Sequence, residues 1–378
     1  MTTAKRKILF LIPSLAGGGA ERTLINMLSK TDYSKYEVDL ISVLEKGPYL
    51  KEVPPEVNLI TLFKNENVLR ALSYLQKKTG VDQVFRLMMK RKIKKQYDVG
   101  ISFLDSNFTD FLFFTDKISK RYSWIHSSYK SYKNFYKFYK DPVYRDKLVR
   151  DRYSKLDGIY FVSDDSRKEF IEIFGVFPKM EVIYNIIDSE MVSSKAEAEV
   201  EFDHSKFSFI AVGSLFPVKG FDRLIRAAKI LRDKGYDFKV DILGRGSEEE
   251  NLNKLVNELG IADNIVFHGF VSNPYPYMKA GEVFVMSSVS EALPTVLCEA
   301  MILGRPVVVT NCSGCRELVD MGKYGLMAEQ DDEDLAAKME IFLQDKKQLE
   351  NYATLSKQRS GIFDTEQVMS KYREILNR

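Results

Sequence analysis

Short β-rich runs alternate with helical periods along almost the whole chain, and this alternation constrains the fold more than any other feature. Candidate strands fall at 7–12, 37–43, 57–62, 98–103, 158–162 and 180–184, then at 207–212, 239–243, 264–268, 282–286 and 306–310. Helical periods lie between them, for example at 20–30, 221–234, 248–259 and 295–303. Strand–helix alternation predicts parallel sheets covered on both faces, an α/β, doubly wound architecture. A chain of 378 residues is long for one core and comfortable for two. The stretch 189–206 is polar and acidic, has no strong period, and reads as a linker between domains at 1–188 and 207–362. Doubly wound domains bind ligands beyond the carboxyl ends of their strands, so the site is expected in an interdomain cleft.

Composition narrows the class. Apolar content of 45% and charged content of 29% describe an ordinary soluble globular protein. No apolar run approaches the roughly 18–20 residues that span a bilayer. The start, MTTAKRKILFLIPSLAGGG, is basic then apolar like a secretory leader, but Pro13 and three glycines interrupt it, and a first strand fits better. Three cysteines make no disulfide framework, which favours a reducing, cytoplasmic setting. Residues 1–200 carry 34 Lys/Arg against 26 Asp/Glu, a balance of +8, while 201–378 carry 22 against 27, or −5. The basic front half points to an anionic partner; nucleic acid is not expected.

Three loops carry candidate chemistry. In PSLAGGGAERTL, Gly17, Gly18 and Gly19 separate a strand from a helix, so backbone N–H groups and the helix dipole can face an anion. The spacing matches neither the dinucleotide fingerprint nor a P-loop, and a plain tight turn stays open. In AVGSLFPVKGFDRLI, Ser214 follows a strand and Lys219 precedes a helix, where it reads as a phosphate clamp or a solvated turn lysine. In SSVSEALPTVLCEAM, Pro294 opens a helix and leaves the amides of Leu293, Thr295 and Val296 near its start. Glu291 lies in that loop. Glu299 lies in the helix among apolar neighbours, where a carboxylate accepting from vicinal hydroxyls, as on a ribose, accounts for it; a packed helix-surface charge is the other reading.

Taken in order, these motifs resemble retaining glycosyltransferases of family 4. The match runs through GGGAER at 17–22, WIH at 124–126, VIYNIID at 182–188, VGSLFPVKGFDRLI, ILGRG at 242–246 and the E-x7-E pair Glu291/Glu299. The resemblance implies the GT-B fold, two Rossmann-like domains facing across a cleft, with the segment 363–378 crossing back to the first. It implies that Glu299 holds the nucleotide ribose, Glu291 sits by the donor sugar, Lys219 neutralises the diphosphate, Gly17–Gly19 cover the phosphate, and His126 contacts the donor sugar. Three positions depart from the pattern: Ser214 stands where arginine is common, Ala292 and Ile186 where glycine is; Arg223 or Arg245 are candidates to replace the missing charge.

The implied reaction moves a sugar from a nucleotide diphosphate, by resemblance a UDP-hexose or UDP-N-acetylhexosamine, to a glycan or lipid-linked acceptor in surface polysaccharide or glycoconjugate synthesis. The nucleotide sugar is a substrate, and no cofactor is expected. No metal site is expected either: His126, His204 and His268 lack motif spacing, and Cys312–Cys315 reads as two ordinary thiols rather than half a zinc or redox site. A sugar-nucleotide epimerase and a non-catalytic binding protein on the same fold remain alternatives. Finally, Tyr129, Tyr132, Phe135, Tyr136 and Tyr139 fall on one helical face beside Lys130, Lys133, Lys137 and Lys140, and KRKIKK at 90–95 follows a run with Val81, Val84, Phe85, Met88 and Met89 on one side. Both read either as docking on an anionic membrane or as core-packing stripes with solvated lysines.

Overall fold

The computed structural model describes residues 4–130 and 135–378. The chain divides into two compact units, Met1–Ile186 with Glu366–Arg378, and Ile187–Thr365.

The first unit is built on seven parallel strands in the order β3-β2-β1-β4-β5-β6-β7. These are β1 (Arg6–Ile12), β2 (Tyr36–Leu44), β3 (Asn58–Phe63), β4 (Tyr97–Ser102), β5 (Ile118–Ile125), β6 (Gly158–Phe161) and β7 (Met180–Val182). Ile8 to Ile12 are almost wholly buried, as expected of a central strand covered on both faces. The helices are α1 (Gly19–Ser29), α2 (Glu66–Thr79), α3 (Gln83–Lys92), α4 (Pro142–Asp151) and α5 (Asp164–Phe174). Local chemistry sets several ends: Asn65 caps α2, Gly80 at φ +73° stops it, Asp141 and Pro142 open α4, and Ser163 caps α5.

The sequence reading missed β5. Its first half, Ile-Ser-Lys-Arg, exposes Ser119 and Lys120 and shows no clean alternation, yet pairing with β4 carries it from Ile118 opposite Tyr97 to Ser123 opposite Ser102. The aromatic stripe is also corrected. Tyr129 is buried, its ring 5.1 Å from Tyr139 and 5.4 Å from Phe174, and Phe135 packs on the same cluster. Only one wide helical turn, Phe135–Tyr139, is present there. The stripe is core because Tyr129 and Tyr139 pack against α5. Tyr132 and Lys133 lie outside the described residues, as does the side chain of Tyr136. In KRKIKK, Lys95 is no free surface charge either; it pairs with Glu37 and with the buried Asp39.

The second unit carries β8 (Phe207–Val212), β9 (Phe238–Leu243), β10 (Ile265–Gly269), β11 (Val283–Met286), β12 (Val307–Thr310) and β13 (Leu326–Ala328). All are parallel, in the order β10-β9-β8-β11-β12-β13. Its helices are α6 (Ser189–Lys195), α7 (Phe221–Asp233), α8 (Glu249–Leu259), α9 (Tyr275–Ala280), α10 (Thr295–Ile302), α11 (Cys315–Leu318), α12 (Asp332–Gln344) and α13 (Lys346–Arg359). Leu224, Ile225, Ala228 and Leu231 of α7 are fully buried against the sheet. Each larger one contributes about 1.5–3 kcal/mol.

The linker expected at 189–206 is corrected in part. Its first seven residues form α6, capped by the Asp188 carboxylate on the Met191 amide and anchored by buried Val192, and they belong to the second unit. Seven residues with one apolar anchor are too short for a period to show. The last helix, α14 (Thr365–Leu376), is packed into the first unit from Glu366 onward. Its Tyr372 stacks on Trp124 at 4.5 Å, Asn377 accepts from the Tyr36 hydroxyl at 3.0 Å, and Arg378 grips Glu181 with two bonds. No helix among the described residues is long and apolar enough to cross a membrane.

Candidate functional site

In the second unit, β8 and β11 are neighbours although two strands separate them in sequence, so the connections leaving their carboxyl ends run to opposite sides. Such a reversal opens a crevice beyond the strand ends, where doubly wound sheets take ligands. The loops after these two strands carry Ser214 with Lys219, and Glu291.

The loops are laced together. The Lys219 ammonium lies 2.6 Å from Glu291 Oε1, and Ser288 Oγ donates to the same oxygen at 2.8 Å. Ser287 Oγ donates to the Lys219 carbonyl at 3.0 Å, and the Val289 amide to the Val218 carbonyl at 2.8 Å. Gly220 makes this approach possible: it sits at φ +62°, and an added Cβ would lie 2.2 Å from the Ser287 carbonyl oxygen. Lys219 and Glu291 retain side-chain exposures of 26% and 13%, enough to meet a ligand without leaving the pair wholly solvated.

Ser214 is exposed on the β8 loop. Arg223, one of the two candidates to supply the charge absent there, donates to the Ser287 carbonyl at 2.8 Å, and its guanidinium lies against Gly220. A second cation therefore stands at the Lys219 loop. Arg245, the other candidate, is exposed on the loop after β9.

Pro294 precedes α10, so the amides of Thr295 and Val296 have no carbonyl one turn back to bond, and Leu293 is buried just before them. Glu299 lies in the second turn of α10 and accepts from the Tyr275 hydroxyl of α9 at 3.4 Å. The carboxylate among apolar neighbours is thus part-buried with a phenol beside it. Tyr275 was not singled out from sequence, because nothing in its spacing from Glu299 signals contact between α9 and α10. Cys312 and Cys315 are buried free thiols; the Cys315 thiol is pushed up by its hydrogen bond with Cys312 and by burial, which suits packing rather than reactivity. His268 pairs with buried Asp241 at 2.7 Å on the β9–β10 edge, in a cavity of about 570 Å³ covered by residues 200–203 rather than at the strand ends.

In the first unit, Gly17 has φ +110°, and Gly18 precedes α1 without a side-chain cap. The Glu21 carboxylate folds back onto this helix start, and an added Cβ at Gly18 would meet it at 2.4 Å. Burial raises the Glu21 pKa, an effect partly offset by hydrogen bonds from the Glu21 and Gly18 amides. The glycine loop therefore offers its amides to an anion, as the sequence predicts, and in the empty protein the acceptor is the chain's own glutamate. Sequence reasoning missed that role.

His126 follows β5, its ring 4.8 Å from Phe103. Its Nε2 is enclosed and bonds to no described group, while the ring keeps some exposure. Burial lowers its pKa to about 3, so the imidazole is neutral at pH 7. The unfolded chain, with an ordinary histidine near 6.5, takes up a proton that the folded one refuses. Stability is then lost as pH falls below about 6.5, by up to about 1.4 kcal/mol per pH unit. His126→Phe should flatten the pH dependence of the unfolding midpoint between pH 6 and 5 relative to wild type; identical slopes would show that the folded histidine titrates normally.

Comparison with known proteins agrees with this architecture. The family described as Glycosyltransferase Family 4 matches residues 17–191, and that described as Glycosyl transferases group 1 matches 193–359. The chain belongs to these glycosyltransferases and has the GT-B type of α/β fold. It is 28% identical, over 95% of its own length and 96% of the other's, to the N-acetylgalactosamine-N,N'-diacetylbacillosaminyl-diphospho-undecaprenol 4-alpha-N-acetylgalactosaminyltransferase of Campylobacter jejuni. Among solved structures it resembles Anabaena HepE in complex with UDP, with 21% identity, TM-score 0.73, and 98% and 99% of the two chains covered. It also resembles TarM, with 14% identity, TM-score 0.78, and 99% of each chain covered.

Proposed function

We propose that this glycosyltransferase moves a hexose or N-acetylhexosamine from its UDP derivative to a hydroxyl of a lipid-linked glycan, with retention at the anomeric carbon, in the synthesis of a surface glycan. The observation that carries the reading is the Lys219–Glu291 pair on adjacent loops at the strand reversal, beside the start of α10. As the donor bond breaks, negative charge gathers on the diphosphate and positive charge on the sugar. Lys219, Arg223 and the first amides of α10 face the former as preorganised donors. Glu291, held by Lys219 and Ser288, positions the sugar hydroxyls and does not attack. The leaving phosphate takes the acceptor proton on the same face of the sugar. Glu299 accepts from the ribose hydroxyls with Tyr275 beside it. The neutral His126 and the Gly17–Gly19 loop serve the donor from the first unit. No resident metal is assigned a part.

The acceptor class rests on the Campylobacter relative, whose name specifies a diphospho-undecaprenol substrate, and on lipopolysaccharide core enzymes of Rhizobium meliloti similar over about half the chain. A lipid-linked acceptor places the enzyme in the cytoplasm at the inner face of the membrane. Transfer from a panel of sugar nucleotides, with NMR of the product, tests the reading; an inverted anomeric configuration overturns it. Glu299→Ala is expected to weaken UDP binding by about 1.5–3 kcal/mol, the worth of charge-assisted hydrogen bonds. Unchanged affinity by calorimetry in the folded variant would remove Glu299 from the ribose site.

A further inference from the structure

The outward side of α2 and α3 carries a surface the core does not use. Both helices turn Leu69, Phe85 and Met89 into one cluster of the first unit. Away from that cluster, Val68, Tyr74 and Leu75 of α2 and Val84 and Leu87 of α3, with Val81 in the connection, are between 46% and 68% exposed. Single exposed apolar residues need no explanation, but six on the outer side of two consecutive helices do.

The charge around them has one sign. Residues 66–94 hold eight Lys/Arg and two Asp/Glu. Both acids are spoken for: Glu66 pairs with Lys46 and Arg70, and Asp82 with Arg86. Lys77, Lys78, Lys90, Arg91 and Lys92 are exposed and pair with no carboxylate among the described residues. Basic residues in the last turn of each helix offset its dipole, which accounts for the lysines alone but not for the exposed leucines, valines and tyrosine between them.

We propose that this α2–α3 face docks on an anionic lipid surface, its apolar side chains entering the headgroup layer and its lysines and arginine meeting lipid phosphates. The inference rests on the reading of a lipid-linked acceptor, whose reacting end sits at such a surface. Lipid suits the face better than protein does. Lysine is depleted from the centres of protein interfaces, whereas basic residues interleaved with apolar ones are the composition of membrane-surface helices. It also relocates the membrane contact expected from sequence, since Tyr129 and Tyr139 of the other aromatic stripe are packed inside.

The test is co-sedimentation of the full chain with phosphatidylcholine vesicles, with and without phosphatidylglycerol, at low salt. Two variants are compared, K77E/K78E/K90E and L75S/L87S; every altered side chain is exposed, so unfolding midpoints should stay at the wild-type value. Wild type is expected to bind only the anionic vesicles, and each variant to bind them at least about tenfold more weakly. Absent binding to anionic vesicles, or binding untouched by both variants, overturns the proposal. A self-association lost in L75S/L87S without vesicle binding overturns it too, and assigns the face to a second copy. Transfer to a water-soluble acceptor analogue should be unchanged in both variants. Docking without any sugar transfer would sink the proposed reaction and leave the docking face standing.

Discussion

Replacing Lys219 with alanine is expected to lower kcat by roughly 10²–10³, the cost of removing one preorganised donor from a developing negative charge. The ground-state affinity for UDP should fall far less. In the empty protein Lys219 is paired with Glu291 at 2.6 Å, so part of its attraction for a resting diphosphate is already met. The extra charge that forms as the sugar leaves is what Lys219 would meet newly. Stability should change little, because Glu291 keeps some exposure and its bond from Ser288. Single-turnover kinetics separate the two effects. A folded variant with the wild-type rate removes Lys219 from the chemistry, and one with an unchanged rate but lost affinity makes it a simple binding residue.

The largest stability effect is expected in the first unit, at Arg152. Its guanidinium is 4% exposed, forms two bonds to Asp110 at 2.7 and 3.1 Å, and lies 3.7 Å from Asp105. Asp105 in turn accepts from the hydroxyls of Tyr129 at 2.7 Å and Tyr153 at 3.0 Å. Arg152→Ala strands Asp105 among aromatic rings with its cation gone, and breaking a buried pair from one side costs about 3–5 kcal/mol. For a unit of this size that corresponds to a midpoint lowered by roughly 10 °C. Arg152→Met combined with Asp105→Asn should recover much of the loss, since the uncompensated charge is then absent. Thermal unfolding of both variants decides the point; an Arg152→Ala midpoint within about 2 °C of wild type would show that the network is held by its phenols alone.

The contrast between these two places shows where sequence reading reaches. Lys219 and Glu291 were legible because each sits in a loop directly after a strand, and the strands announced themselves as apolar runs bounded by glycine and proline. The Arg152 network was not legible. Its members are 42 and 47 residues apart in sequence, and nothing in the local pattern around Arg152 says that a cation near the end of a polar helix will be buried beneath tyrosines. Tyr275 beside Glu299 and Glu21 folded onto Gly18 escaped for the same reason: hydrogen-bond partners across helices, or a rotamer turned back on its own helix, leave no periodicity.

The aromatic stretch around Tyr129 and the α2–α3 hairpin make the point in the opposite sense. Both read as amphipathic, because period and composition are the same whether an apolar face meets a sheet or a lipid surface. Packing against α5 placed Tyr129 and Tyr139 inside. On α3 the structure divided one expected face, turning Phe85 and Met89 inward and leaving Val84 outside.

By itself the sequence determined the α/β class, the two parallel sheets, most strand positions, and the loops that bear the candidate site. These follow from hydrophobic period and turn chemistry, which are local and survive in a linear text. Only the tertiary structure decided which strand lies beside which, that β8 and β11 meet so that Lys219 can reach Glu291, which apolar faces are core, and which charges are buried in pairs. Those outcomes depend on the shape and burial of neighbours distant in the chain, and burial sets the strength of every electrostatic interaction at the site.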